Sequence, residues 1–214
     1  MKRILCYGDS NTWGQIPGSG NRYDENSRWT GQLQALLGCN YRVIEAGISG
    51  RTTSFDDPTF DYRNGRKGFG YALLEANPID LLIVSLGTND LKFTDAAGSA
   101  RGLKSLLRSV GYTYNLAVND ITGTTARPEI LVVSPISLLP EIDKRMPPSS
   151  LCGKYEESKH FAEHYRPLCQ EIGVHFMDAA EIVEADAADC VHMSADSHKK
   201  LGKAIFSKVK DILG

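Results

Sequence analysis

Short apolar runs alternate along this chain with longer stretches of helical periodicity. Residues 3–7, 42–46, 81–86, 130–134 and 174–177 are apolar runs of strand length, each bounded by Gly, Pro, Asn or Asp. Residues 29–37, 69–76, 98–119, 149–172 and 194–213 carry helical patterns, and Pro167 marks a point where the fourth would kink. Strand followed by helix, repeated, predicts an α/β fold. Its parallel sheet should be covered by helices on both faces, with right-handed crossovers. No repeat, low-complexity tract or linker interrupts the alternation, so residues 1–214 read as one domain. Two connections are long. Residues 52–67 are rich in Asp, Asn, Arg and Gly, and residues 137–150 carry Pro140, Glu141 and Asp143, then Pro147-Pro148. They follow the second and fourth strands, so they should overhang the carboxyl edge of the sheet, where open α/β folds bind ligands.

Composition narrows the function classes. The apolar and charged fractions of this 214-residue chain are those of an ordinary globular protein with a sizeable core. A formal net charge of -2, with Lys and Arg scattered, gives no attraction for nucleic acid or an anionic membrane. Lys2 and Arg3 precede only four residues before Gly8 and Asp9, too few for a signal peptide's apolar core. No run is long enough to span a bilayer. The cysteines Cys6, Cys39, Cys152, Cys169 and Cys190 are odd in number and form no CxxC pair. That fits reduced thiols in a cytoplasmic protein better than a disulfide framework. Cys6 reads as a core residue of the first strand, and Cys190 as a spacer.

Candidate chemistry lies at the ends of the runs. The first run stops at Gly8-Asp9-Ser10, which sets a serine hydroxyl at the carboxyl end of a strand. A serine there could simply cap a helix; as a nucleophile it needs a base, which points to histidine. Two histidines compete. His192 follows Asp189 by three residues, a spacing that lets one turn present both side chains, the Asp fixing the imidazole tautomer. His198 follows Asp196 by two residues within a predicted helix, where the two side chains diverge, so it reads as surface. Asn89, after the third strand, offers an amide donor for an oxyanion, or is only a turn residue. On sequence alone Gly47 or Gly50 could offer a backbone N–H unobstructed by a Cβ. Asp9 and Asp90 read as structural acceptors that hold turns, and Trp13 as a substrate-binding aromatic at the mouth of the site or a packing residue. His160 and His164 share a helix face, but no third ligand is evident, so a solvated surface is the better reading.

Four segments occur in order: Gly8-Asp9-Ser10, Ala46-Gly47-Ile48-Ser49-Gly50-Arg51-Thr52-Thr53, Ser85-Leu86-Gly87-Thr88-Asn89-Asp90 and Asp189-Cys190-Val191-His192. The series resembles the SGNH, or GDSL, hydrolases over essentially the whole chain. Arg28-Trp29-Thr30-Gly31 and Asp56-Asp57-Pro58 resemble the bacterial arylesterase and acyltransferase branch. The resemblance implies a three-layer α/β/α sandwich whose five parallel strands take the order 2-1-3-4-5. It implies a triad of Ser10, Asp189 and His192, and an oxyanion hole of the Ser10 N–H, the Gly50 N–H and Asn89. It implies no cofactor or metal, and a homo-oligomer. The substrates would be short-chain, acetyl-type esters of aryl, alkyl or carbohydrate alcohols, including acetylated carbohydrates, with acyl transfer as a further activity. Two alternatives stand beside it: a thioesterase or lysophospholipase, and a catalytically idle relative that binds glycans.

Overall fold

The computed structural model describes residues 1–114 and 127–214. Five strands form one parallel sheet: β1 (Lys2–Gly8), β2 (Tyr41–Gly47), β3 (Leu81–Ser85), β4 (Glu129–Ser134) and β5 (His175–Asp178), in the order β2-β1-β3-β4-β5. This is the expected order. Among the described residues the α-helices are α1 (Ser10–Trp13), α2 (Trp29–Leu37), α3 (Gly65–Ala76), α4 (Ala96–Tyr112), α5 (Tyr155–Ser158), α6 (Phe161–Ile172) and α7 (Ala195–Leu213).

The central strands read as continuous apolar runs because both their faces are covered. Leu5, Tyr7, Leu82, Val84 and Val132 join one core with Phe69 and Leu73 of α3, Leu103 and Leu106 of α4, and Phe161 and Tyr165 of α6. The alternate residues Ile4, Cys6, Leu81, Ile83, Leu131 and Val133 join a second core with Trp29 and Leu33 of α2 and Ile205 and Val209 of α7. The strand period of two therefore divides one sequence between two cores. No helix among the described residues is long and apolar enough to cross a membrane.

The structure corrects three expectations. The helix expected over residues 149–172 is two helices. Gly153 turns the chain at φ +77 before α5 begins. At the end of α5 the Ser158 hydroxyl donates to the Tyr155 carbonyl at 2.6 Å and accepts the Leu138 N–H at 3.0 Å, which ties this point to the chain after β4. Pro167 lies inside α6. The helix expected from residue 69 begins four residues earlier, because the Asn64 side chain caps it by accepting the Arg66 N–H at 3.0 Å. The helix expected over residues 98–119 is α4; residues 115–119 lie outside the described residues.

His198 is the third correction, for it is buried at 0 % exposure rather than on the surface. It lies on the face of α7 that packs against α2, and its Nδ1 accepts the Trp29 N–H at 3.3 Å. Its pairing with Asp196 could not reveal this, since burial is set by the helix across from it. Loss of solvation pushes the imidazole down to about 4, with the charges of His192 and Arg28 acting in the same direction. A protonated ring would also lack the lone pair that the Trp29 N–H uses.

The folded chain therefore resists a proton that the unfolded chain accepts near the ordinary histidine value of about 6.5. This stabilisation is complete above that value and drains as pH falls towards about 4. Urea unfolding should show a stability loss between pH 7 and about pH 4.5 that is smaller in His198→Gln, by on the order of 2–3 kcal/mol. Equal losses in both proteins would exclude His198 as the titrating group.

Candidate active site

The sheet register sets out the site. Gly8, at the end of β1, pairs with Gly47 of β2 on one side and Ser85 of β3 on the other. Ser10, Gly50 and Asn89 thus emerge side by side at the carboxyl edge. Ser10 opens α1, capped by Asp9, whose carboxylate accepts the Asn11 N–H at 3.0 Å. A Cβ on Gly47 would lie 2.2 Å from the Trp13 nitrogen, so this glycine lets α1 seat on β2.

The remote segment reaches Ser10 through two fastenings. Asn11 accepts the Met193 N–H at 3.0 Å and donates to the Val191 carbonyl at 3.3 Å, gripping the backbone on both sides of His192. Cys190 takes a left-handed φ of +68, uncommon for a side-chain-bearing residue, and its N–H bonds the Asp186 carbonyl at 2.8 Å. The turn sets Asp189 beneath His192. His192 Nε2 lies 2.9 Å from Ser10 Oγ, and its Nδ1 lies 2.7 Å from Asp189 Oδ2. The carboxylate accepts three backbone N–H groups as well: Gly18 at 2.8 Å, Val191 at 3.0 Å and His192 at 2.8 Å. Burial pushes this carboxyl up, but the bond to His192 and the backbone donors outweigh it and hold Asp189 well below the usual carboxylate range. An ionised Asp189 must accept at His192 Nδ1, so Nδ1 carries the hydrogen. Nε2 is then left with the lone pair that faces the Ser10 hydroxyl.

Gly50 has φ +83, a left-handed conformation that favours glycine. The space where its Cβ would stand is filled by the Arg63 guanidinium, with Nε only 2.4 Å away. Arg63 comes from the long connection after β2 and is anchored by Asp57 Oδ2 at 2.9 Å. Asn89 lies on a 3-10 turn, Thr88–Lys92, and donates through Nδ2 to the Arg51 carbonyl at 3.2 Å, while Lys92 Nζ donates to its Oδ1 at 2.7 Å. Below the site, Arg51 Nη1 donates to the carbonyls of Gly8, at 2.9 Å, and Ala46, linking the ends of β1 and β2. Asp90 accepts the Thr53 N–H at 2.8 Å and the hydroxyls of Thr53 and Ser99 at 2.6 Å, which ties the turn after β2 to the turn after β3. Burial pushes Asp9 and Asp90 each up to about 6, against the hydrogen bonds they accept.

Ser10, Gly50, Asn89 and His192 line one cavity of about 210 Å³, closed in part by Ser149, Ser150 and Leu151 at the end of the second long connection. Trp13 lines an adjoining depression with Tyr62, one that shares Gln15, Ser49 and Arg63 with the first. Its ring lies 5.1 Å from the Arg22 guanidinium. His160 is exposed and bonded to Glu163 at 2.9 Å. Among the described residues no group of three or more His, Cys, Asp or Glu is arranged to hold a metal ion. Sequence reasoning missed Asn11, Arg63 and Lys92. Asn11 and Lys92 stand beside the motif segments, but a polar residue next to a motif carries no sign of what it bonds.

Known proteins share this fold. A family profile described as the GDSL-like Lipase/Acylhydrolase family matches residues 6–200. The native aryl esterase of M. smegmatis is 34% identical over 100% of both chains, with a TM-score of 0.88. A carbohydrate acetylesterase from Sinorhizobium meliloti is 36% identical, again over 100% of both chains, with a TM-score of 0.89. No curated protein gives a significant match. The chain belongs to the GDSL-like lipase/acylhydrolase family and is a carboxylic ester hydrolase of the SGNH type.

Proposed function

We propose that this chain, acting as one hydrolase domain over residues 1–214, is a serine esterase for short acyl esters of aryl, alkyl or carbohydrate alcohols. The observation that carries the proposal is the continuous contact from Asp189 through His192 to Ser10 Oγ. Ser10 Oγ attacks the ester carbonyl and gives its proton to His192 Nε2, while Asp189 stabilises the imidazolium. The negative oxygen meets the N–H groups of Ser10 and Gly50 and the Asn89 amide. The carbonyl–alkoxide bond then breaks, His192 returns the proton to the leaving alcohol, and an acyl-Ser10 ester remains. Water, activated by His192 in the same way, releases the acid and regenerates Ser10. An alcohol in place of that water gives acyl transfer.

The cavity of about 210 Å³ around Ser10 supports short acyl groups over the long chains of a thioesterase or lysophospholipase. The depression beside it, with Trp13, Tyr62, Gln15 and Ser49, suits a leaving group with a flat face and hydroxyls, such as an aryl alcohol or a sugar. The structural neighbours named an aryl esterase and a carbohydrate acetylesterase support the same two classes. A cytoplasmic homo-oligomer completes the reading; it rests on the cysteine pattern and on the resemblance to the arylesterase branch.

Ser10→Ala should fold normally, escape labelling by a fluorophosphonate and lose turnover by on the order of 10⁴ or more. Hydrolysis of p-nitrophenyl acetate at a near-normal rate by the purified variant would refute the nucleophile. Asp189→Asn should keep the labelled serine but cut kcat by about 10³–10⁴, because the amide no longer enforces the Nδ1–H tautomer. A loss under about tenfold would separate Asp189 from the reaction. In a series of p-nitrophenyl esters from about C2 to C12, kcat/KM should peak at acetyl to butyryl and fall roughly tenfold per added pair of carbons. A peak at C8 or beyond would favour the lysophospholipase alternative instead.

A further inference from the structure

Asn89 is held from two sides, by the Arg51 carbonyl at Nδ2 and by Lys92 at Oδ1. An ammonium only donates and a carbonyl only accepts, so these partners fix which end of the amide is which. A primary amide has two N–H bonds; the Arg51 carbonyl uses one and leaves the other. Lys92 follows Asn89 by three residues on a 3-10 turn, where side chains at that spacing eclipse, and it lines the same cavity as Ser10 and His192.

We propose that Lys92 is a positioning residue of the oxyanion hole, holding the Asn89 amide with one N–H towards the cavity and strengthening that N–H as a donor. The inference rests on the roles given above to Ser10 and Asn89. A cation on the amide oxygen draws electron density from the nitrogen, which makes the remaining N–H a better donor. Its charge adds a favourable field where the tetrahedral oxygen forms. That oxygen is negative only after attack, so the effect falls on kcat rather than KM.

The charges facing Lys92 are Arg63 and Asp57, from the connection after β2, and Asp9, at the end of β1. Burial, then the charge of Arg63, hold the ammonium below the ordinary lysine value, with Asp57 and Asp9 opposing. Activity should accordingly fall in the alkaline range as Lys92 loses its charge.

The test compares the wild type with Lys92→Met and Lys92→Arg in p-nitrophenyl acetate hydrolysis from about pH 6 to pH 11. Melting temperature and near-UV circular dichroism check the fold. Lys92→Met should lower kcat by about 10–100-fold, somewhat less than loss of the whole donor, with KM within about threefold. Lys92→Arg should recover most of kcat at neutral pH and lack the alkaline fall. A Lys92→Met kcat within about threefold of wild type overturns the proposal. An alkaline fall unchanged in Lys92→Arg overturns it equally, and that profile alone decides if Lys92→Met does not fold. An active Ser10→Ala would defeat the esterase reading itself. An inert Ser10→Ala beside a fully active Lys92→Met rejects only the role of Lys92.

Discussion

The Asp189 carboxylate accepts four hydrogen bonds, and the geometry around Ser10 depends on it. One donor is the Gly18 N–H, from the chain that leaves α1; two are backbone groups of its own turn; the last is the His192 ring. The carboxylate thereby joins segments 171 residues apart, and it does so in its charged form. Neutral amide or hydroxyl groups would not draw so many donors to one point. With the carboxylate fixed, the ring has one orientation, and its Nε2 meets the Ser10 hydroxyl. Asn11 adds a grip on the backbone either side, so the contact between residues 182 positions apart does not rely on the two side chains alone.

Beneath this contact lies a polar floor that the two apolar cores do not supply. Arg51, Asp9 and Asp90 are buried there, and each would be costly without partners. Arg51 is spent on strand-end carbonyls and lies 4.0 Å from the Tyr7 ring; Asp90 is spent on three donors from two segments. The result is a set of turns whose relative positions are fixed by charge-assisted bonds rather than by apolar packing, which tolerates small slips that directional bonds do not.

The sheet was legible in the sequence because central parallel strands are buried on both faces, which leaves runs such as Ile4–Tyr7 and Leu81–Val84 with no polar interruption. Ser10, Gly50 and Asn89 were legible as neighbours because each stands a few residues beyond a strand end, where register converts sequence spacing into position. What escaped was decided by tertiary partners. His198 read as exposed because its own helix gave no hint of Trp29 facing it. Ser158 gave no local sign that it would bond the Leu138 N–H and break a single expected helix into two. The space that Gly50 leaves open was expected to serve the substrate; Arg63, thirteen residues on, fills it. Lys92 and Asn11 lay in plain view beside the motifs, yet hydrogen-bond direction cannot be read from residue order.

The register at the carboxyl edge has a consequence for the order in which the molecule is made. Ser10 and the strand that presents it leave the ribosome before the rest of the site, and the strands flanking β1 are complete by Ser85. Asp189 and His192 arrive much later, and α7, which packs on α2, ends only at Leu213. A nascent chain can therefore pair its central strands and display Ser10 long before it holds the imidazole that meets that hydroxyl in the folded protein.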